Sequence, residues 1–132
     1  MKKCIFCEII KREASGFILD ENEDIIVSLA LEGHPLVVTK KHIANIYSLD
    51  DRTGAAVMKA AIKVSNAVKK SLQCEGISLV QANEPAAHQD VFPFHLHIKP
   101  RWINDAVTLN WDTTVVTPGA LKEMQDKIKK AL

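Results

Sequence analysis

Two histidines one residue apart, His95 and His97, stand in the stretch Val91-Phe92-Pro93-Phe94-His95-Leu96-His97-Ile98-Lys99. In an extended strand successive side chains go to opposite faces. Phe92, Phe94, Leu96 and Ile98 are therefore expected to face the core, with Val91, Pro93, His95, His97 and Lys99 on the other side. Two imidazoles so placed lie about 7 Å apart at their Cα atoms, and a rigid backbone aims them. Three outcomes fit such a pair. A neutral imidazole can attack phosphorus while its neighbour donates a hydrogen bond to a phosphoryl oxygen. The pair can instead ligate a catalytic zinc. Or both are plain histidines on a solvated strand.

The flanking residues favour the first. Asn83, Gln89 and the small-residue loop Pro85-Ala86-Ala87 supply amide donors and room for backbone to approach an anion. Carboxamides beside imidazoles suit phosphate recognition, whereas metal hydrolysis calls for carboxylate or further histidine ligands. At the amino terminus Cys4 and Cys7 are spaced Cys-x-x-Cys, as in a metal or redox pair. Cys74 reads as a packed or partly exposed thiol.

The elements that must position these groups follow from pattern. Residues 17–20 and 24–31 read as strands around the polar turn Asp20-Glu21-Asn22-Glu23, and Pro35-Leu36-Val37-Val38-Thr39 continues an antiparallel meander. Ser48 with Asp51 resembles a helix N-cap. Val57, Met58, Ala61, Ile62, Ser65, Val68 and Leu72 then recur at helical spacing, with Lys69 and Lys70 in the last turn and Gly76 as a stop. A strand is expected over 77–83. A closing helix begins near Pro118, with Leu121, Met124, Ile128 and Leu132 as its apolar face. Residues 102–117 carry no clear pattern. The order points to an α+β fold with an antiparallel sheet.

With 132 residues, 47% hydrophobic and 25% charged, the chain suits one compact domain with a real core. Its net charge of +1 is scattered, which points to neither a nucleic-acid nor a membrane partner. The basic start lacks an apolar run of signal-peptide length, and charges interrupt every candidate span. A cytoplasmic protein is the expectation.

Three blocks together resemble the histidine triad (HIT) family, in its Hint-like branch with an N-terminal Cys-x-x-Cys. They are Cys4–Ile10, Gly33–His42 and Gln89–Arg101, in order and at plausible spacing. The resemblance covers about residues 4–101 of a single domain, leaving 102–132 as a carboxyl-terminal segment. It implies an antiparallel meander with one long central helix and a carboxyl-terminal helix. It also implies a hydrolase or nucleotidyl transferase acting at an α-phosphate, with His95 as the nucleophile of a covalent nucleotidyl intermediate. His97 and Gln89 complete the implied catalytic group, and Asn83, Phe6, Ile9 and Asp90 are the implied substrate contacts. The implied ligand is a purine nucleotide or nucleotide conjugate, and a homodimer is implied by resemblance only. No cofactor is implied for catalysis. A structural zinc site is, using Cys4, Cys7 and His42, with His88 offered as a fourth ligand.

The chain departs from the family's His-φ-His-φ-His-φ-φ motif, where φ is apolar. Pro93 stands at the first triad histidine and Lys99 at an apolar position. The loop before His34 is shortened, so that Ala30 takes the position of a ribose-binding acid and Ser28 that of an aromatic. His34 reads as a structural histidine or one that helps shape the site. These departures support an alternative, a non-catalytic nucleotide-binding or interaction protein with a degenerate triad. Trp102 and Trp111 are expected in the core, a pocket or an interface.

Overall fold

The computed structural model describes residues 4–108, 110 and 112–132, so Trp111 lies outside the described residues. Five strands form one sheet: β1 (Ile18–Glu21), β2 (Ile25–Leu29), β3 (Pro35–Thr39), β4 (Gly76–Val80) and β5 (His95–Arg101). Their spatial order is β1-β2-β3-β5-β4, with every neighbouring pair antiparallel. Only the first three strands form the expected meander. β5 then returns between β3 and β4, which places the histidine pair in the middle of the sheet. The β2–β3 link is short because Gly33 takes a left-handed conformation (φ 78°), and its N–H donates to the Ala30 carbonyl at 2.9 Å.

One face of the sheet is sealed by α2 (Asp51–Leu72). Val57, Ala60, Ala61, Val64 and Val68 pack there against Ile25, Val27, Val37, Phe94, Leu96 and Ile98. Those helix positions repeat at i, i+3/i+4 and i+7, as one helical face requires. Met58, Ile62 and Leu72, grouped with that face by the sequence, are exposed, because they belong to a stripe further round the helix. The cap also differs from expectation. Residues 46–48 form a short 3₁₀ turn, so Asp50 becomes the cap and its carboxylate accepts from Thr53 N–H at 2.7 Å. At the other end Gln73 takes the left-handed conformation (φ 51°) and Gly76 opens β4. Cys74 is buried in this core.

The opposite face carries the smaller cluster Ile26, Leu36 and Val38. It is covered by α1 (Ile5–Ile10), a six-residue helix with no fully buried residue. Phe6, Ile9 and Ile10 rest on the cluster. The carboxyl-terminal helix α3 (Pro118–Ala131) forms as expected, capped by the Thr117 hydroxyl, yet buries none of its residues. Leu121, Met124 and Ile128 stay exposed.

β5 begins later than its sequence pattern suggests. The alternation holds for Phe94, Leu96 and Ile98, which are buried, with His95, His97 and Lys99 between them half-buried. It fails before that, where Phe92 is 44% exposed and Pro93 is buried. Proline has no N–H to give a strand ladder, so pairing starts only beyond it. The Phe92–Pro93 peptide is cis.

Candidate active site

Across the second face Val38 pairs with His95 and Leu36 with His97. The two imidazoles project from the sheet with ring centres 4.9 Å apart. Phe6 on α1 lies 5.3 Å from the His95 ring. The Nδ1 of His95 is 2.9 Å from the Pro93 carbonyl oxygen. A carbonyl only accepts, so Nδ1 carries a proton, and in the neutral ring the lone pair is on Nε2.

His97 is held differently. Its Nδ1 is 2.8 Å from Nε2 of His34, a buried residue just before β3. Burial, and then the proximity of His95 and His34, push the pKa of His97 down to about 4. Burial, and then Lys99, push His34 down as well. Both rings are therefore neutral at neutral pH. The pair gains no charge of its own to attract an anion, but it keeps the lone pairs that nucleophilic and hydrogen-bonding chemistry need.

Between α1 and the sheet lies a cavity of about 420 Å³. Phe6, Ile9, Asp90, His95 and His97 all line it, five of the residues that the sequence singles out. A broader cleft of about 530 Å³ sits between the β1–β2 hairpin and α2. In its lining Arg52 pairs with Asp24 and Lys63 with Asp20, and no histidine or cysteine is present.

The two carboxamides do not join the histidines as the sequence suggests. Gln89 is buried, and its Nε2 donates to the Ala44 carbonyl at 2.6 Å while its Oε1 accepts from Glu84 N–H at 2.7 Å. Asn83 accepts from Ile46 N–H at 2.8 Å and donates to Gln81 Oε1 at 2.6 Å. Both side chains tie loops together, which satisfies groups that would otherwise be left unpaired. Among the described residues, the contributor that the sequence reading missed is Glu32. Glu32 and Ser28 line the cavity, and His34 supports His97. His34 and Ser28 are both named from the sequence, His34 as structural or site-shaping and Ser28 at an aromatic position, whereas Glu32 carries no signal of its own.

At one edge of the site Cys4 Sγ, Cys7 Sγ and His42 Nδ1 lie within 4.8 Å of one another. Cys7 Sγ is 3.2 Å from His42 Nδ1, and the Cys4 thiol donates to the Phe92 carbonyl at 3.2 Å. Two soft sulfurs and an imidazole suit zinc. Among the described residues the set stops at three. His88 is exposed at the end of the 85–87 turn and does not join it, and Pro93 has no side-chain donor.

Residues 13–102 match the family described as HIT domain. A solved structure of a member of the HIT family of proteins from Bacillus subtilis superposes with a TM-score of 0.92 at 30% identity, covering 99% of this chain and 98% of that one. The adenosine 5'-monophosphoramidase hnt1 of Schizosaccharomyces pombe is 28% identical over 98% of each chain. A zinc-bound histidine triad family protein from Mycobacterium smegmatis superposes with a TM-score of 0.74 at 25% identity, covering 98% of this chain and 97% of that one. With a pair of imidazoles on a central strand, a cavity beside them and this match along most of its length, the chain belongs to the HIT domain family.

Proposed function

We propose that this protein cleaves nucleotide phosphoramidates or anhydrides at the α-phosphate, as a hydrolase or nucleotidyl transferase, with His95 as the nucleophile. The observation that carries this reading is the bond from His95 Nδ1 to the Pro93 carbonyl in the wall of the cavity, which in the neutral ring puts the lone pair on Nε2. In the first step Nε2 bonds to the α-phosphorus while the P–N or P–O bond to the leaving group breaks and that group takes up a proton. In the second step water attacks the same phosphorus, the P–Nε2 bond breaks, and a nucleoside monophosphate leaves. His97 lines the same cavity, and its ring nitrogen not paired with His34 would serve the phosphoryl group as a hydrogen-bonding partner. That hnt1 is named an adenosine 5'-monophosphoramidase supports the choice of a phosphoramidate as probe.

The test is AMP release from an adenosine phosphoramidate, comparing the parent with His95→Ala at matched folding by circular dichroism. Turnover in the parent and its loss in the variant are expected. Equal turnover in both would sink the assignment of His95.

A binding-only protein is the second reading, and one observation favours it. Gln89 and Asn83 are committed to the protein's own backbone and side chains, so fewer amides remain for phosphate. Nucleotide binding without turnover by the parent would select it.

Zinc would be held by Cys4, Cys7 and His42. Bound there it supplies a crosslink between the start of α1 and the segment after β3, and it stands apart from the phosphoryl chemistry.

A further inference from the structure

We infer that the corner formed by Cys4, Cys7 and His42 binds zinc through three protein donors and takes its fourth ligand from solution, a small neutral nitrogen base of the imidazole type, beside Pro93. The inference rests on the zinc reading of this corner and is independent of the nucleotide reading of the cavity.

Position 93 is held against the corner from both sides. The Cys4 thiol donates to the Phe92 carbonyl at 3.2 Å. The Phe94 N–H donates at 2.6 Å to the carbonyl of Ile43, the residue after His42. Between these two anchors stands Pro93, wholly buried and without a side-chain donor. Among the described residues no carboxylate, further histidine or third cysteine joins the cluster. Cys74 lies in the core under α2, and His88 ends the 85–87 turn.

Zinc takes four ligands, and where a protein gives three the fourth comes from water or a bound molecule. The Phe92 carbonyl does not fill that role. It loses its donor when the metal displaces the Cys4 proton, but a neutral carbonyl oxygen is the hard donor of calcium and magnesium sites. The corner is open to solutes, since His42 is exposed and both cysteines are partly exposed. Two thiolates already balance the charge of the ion, which favours a neutral base over a third anion. Nitrogen also suits zinc, a borderline-soft ion, better than a neutral oxygen does.

The experiment loads the full chain with one equivalent of cobalt(II), a visible reporter for zinc, and titrates it with imidazole while the absorption bands of the metal are followed. In the parent the bands should shift and saturate at one imidazole per metal, with the cobalt still on the protein after gel filtration. Cys7→Ser should show no such bands. Pro93→His supplies the imidazole from the chain itself, so it should bind zinc at least about tenfold more tightly in competition with a chromogenic chelator. Its cobalt bands should not respond to imidazole. If Pro93→His does not fold, the parent titration with Cys7→Ser as control decides alone. Parent bands that ignore imidazole would overturn the inference and leave the zinc reading standing. So would a folded Pro93→His that binds zinc no more tightly and still responds. A parent that takes up neither cobalt nor zinc would overturn both.

Discussion

The two faces of one sheet have opposite fates, although their strands are the same. On the α2 side a twenty-two-residue helix lays five small and β-branched side chains against a row of buried aliphatics, and the space is filled. On the α1 side a six-residue helix rests on three buried residues, and a cavity of about 420 Å³ remains. β5 belongs to both. Leu96 and Ile98 go into the packed face, and His95 and His97 into the open one. A change of one position along β5 moves a side chain from the packed core to the cavity. A short cover leaves room for a ligand because it cannot close the whole face, and the long one opposite contributes the burial that keeps the sheet folded.

The sharpest break of that contrast is at His95. His95→Ala is expected to lower phosphoramidate turnover at least about a thousandfold, some 4 kcal/mol of barrier, with melting close to the parent's. A variant that lost both activity and folding would show that the open face is structural after all. Ile98→Ala, on the other face, should do the reverse. Its side chain is wholly buried, and denaturant unfolding should report a loss of about 2–5 kcal/mol. Turnover per folded molecule should be retained, and a loss under about 1 kcal/mol would mean that this core is not close-packed.

Protonation gives a smaller effect. His97 titrates near 6.5 in an unfolded chain and near 4 when folded. The unfolded state binds the proton more tightly between those values. The contribution of His97 to stability is therefore full above about pH 6.5 and is lost as pH falls toward 4. For a half-buried ring we expect about 1–2 kcal/mol, after allowance for screening by solvent. The check is unfolding free energy against pH for the parent and His97→Gln, where the variant should lose that part of the slope. Identical slopes would contradict the burial of His97.

The smallest effect is expected at the corner that ties α1 down. Purified protein should contain zinc, and Cys7→Ser should lose it while the packed face keeps its unfolding profile. Metal content by atomic absorption decides this, and zinc retained by the variant would exclude Cys7 as a ligand.

Much of this was legible from residue patterns. The β-branched runs marked β2 and β3, and the period of two from Phe94 onward separated core from site along β5. The long helix was evident as well, but its buried stripe was not. Met58 and Ile62 are as apolar as Val57 and Val64, and only the angle at which α2 crosses the sheet decides which stripe is covered. The site shows the same division. His95 and His97 share a strand, so local geometry sufficed to bring them together. His34 and His97 are 63 residues apart and meet because β3 and β5 are neighbours. Gln89 and Asn83 sat at the expected place in the chain, yet the loops around them took up their hydrogen bonds.

The sequence by itself determined what repeats within a few residues: strand alternation, helical period, the Cys-x-x-Cys spacing and the histidine pair. Their physical basis is backbone geometry, which acts over one or two turns of chain. Tertiary structure decided the partner of each imidazole, the stripe of α2 that is buried, and the three-donor cluster of Cys4, Cys7 and His42. Each of these depends on which distant segment lies alongside, and that is set by the pairing of strands and the closing of loops across the whole chain.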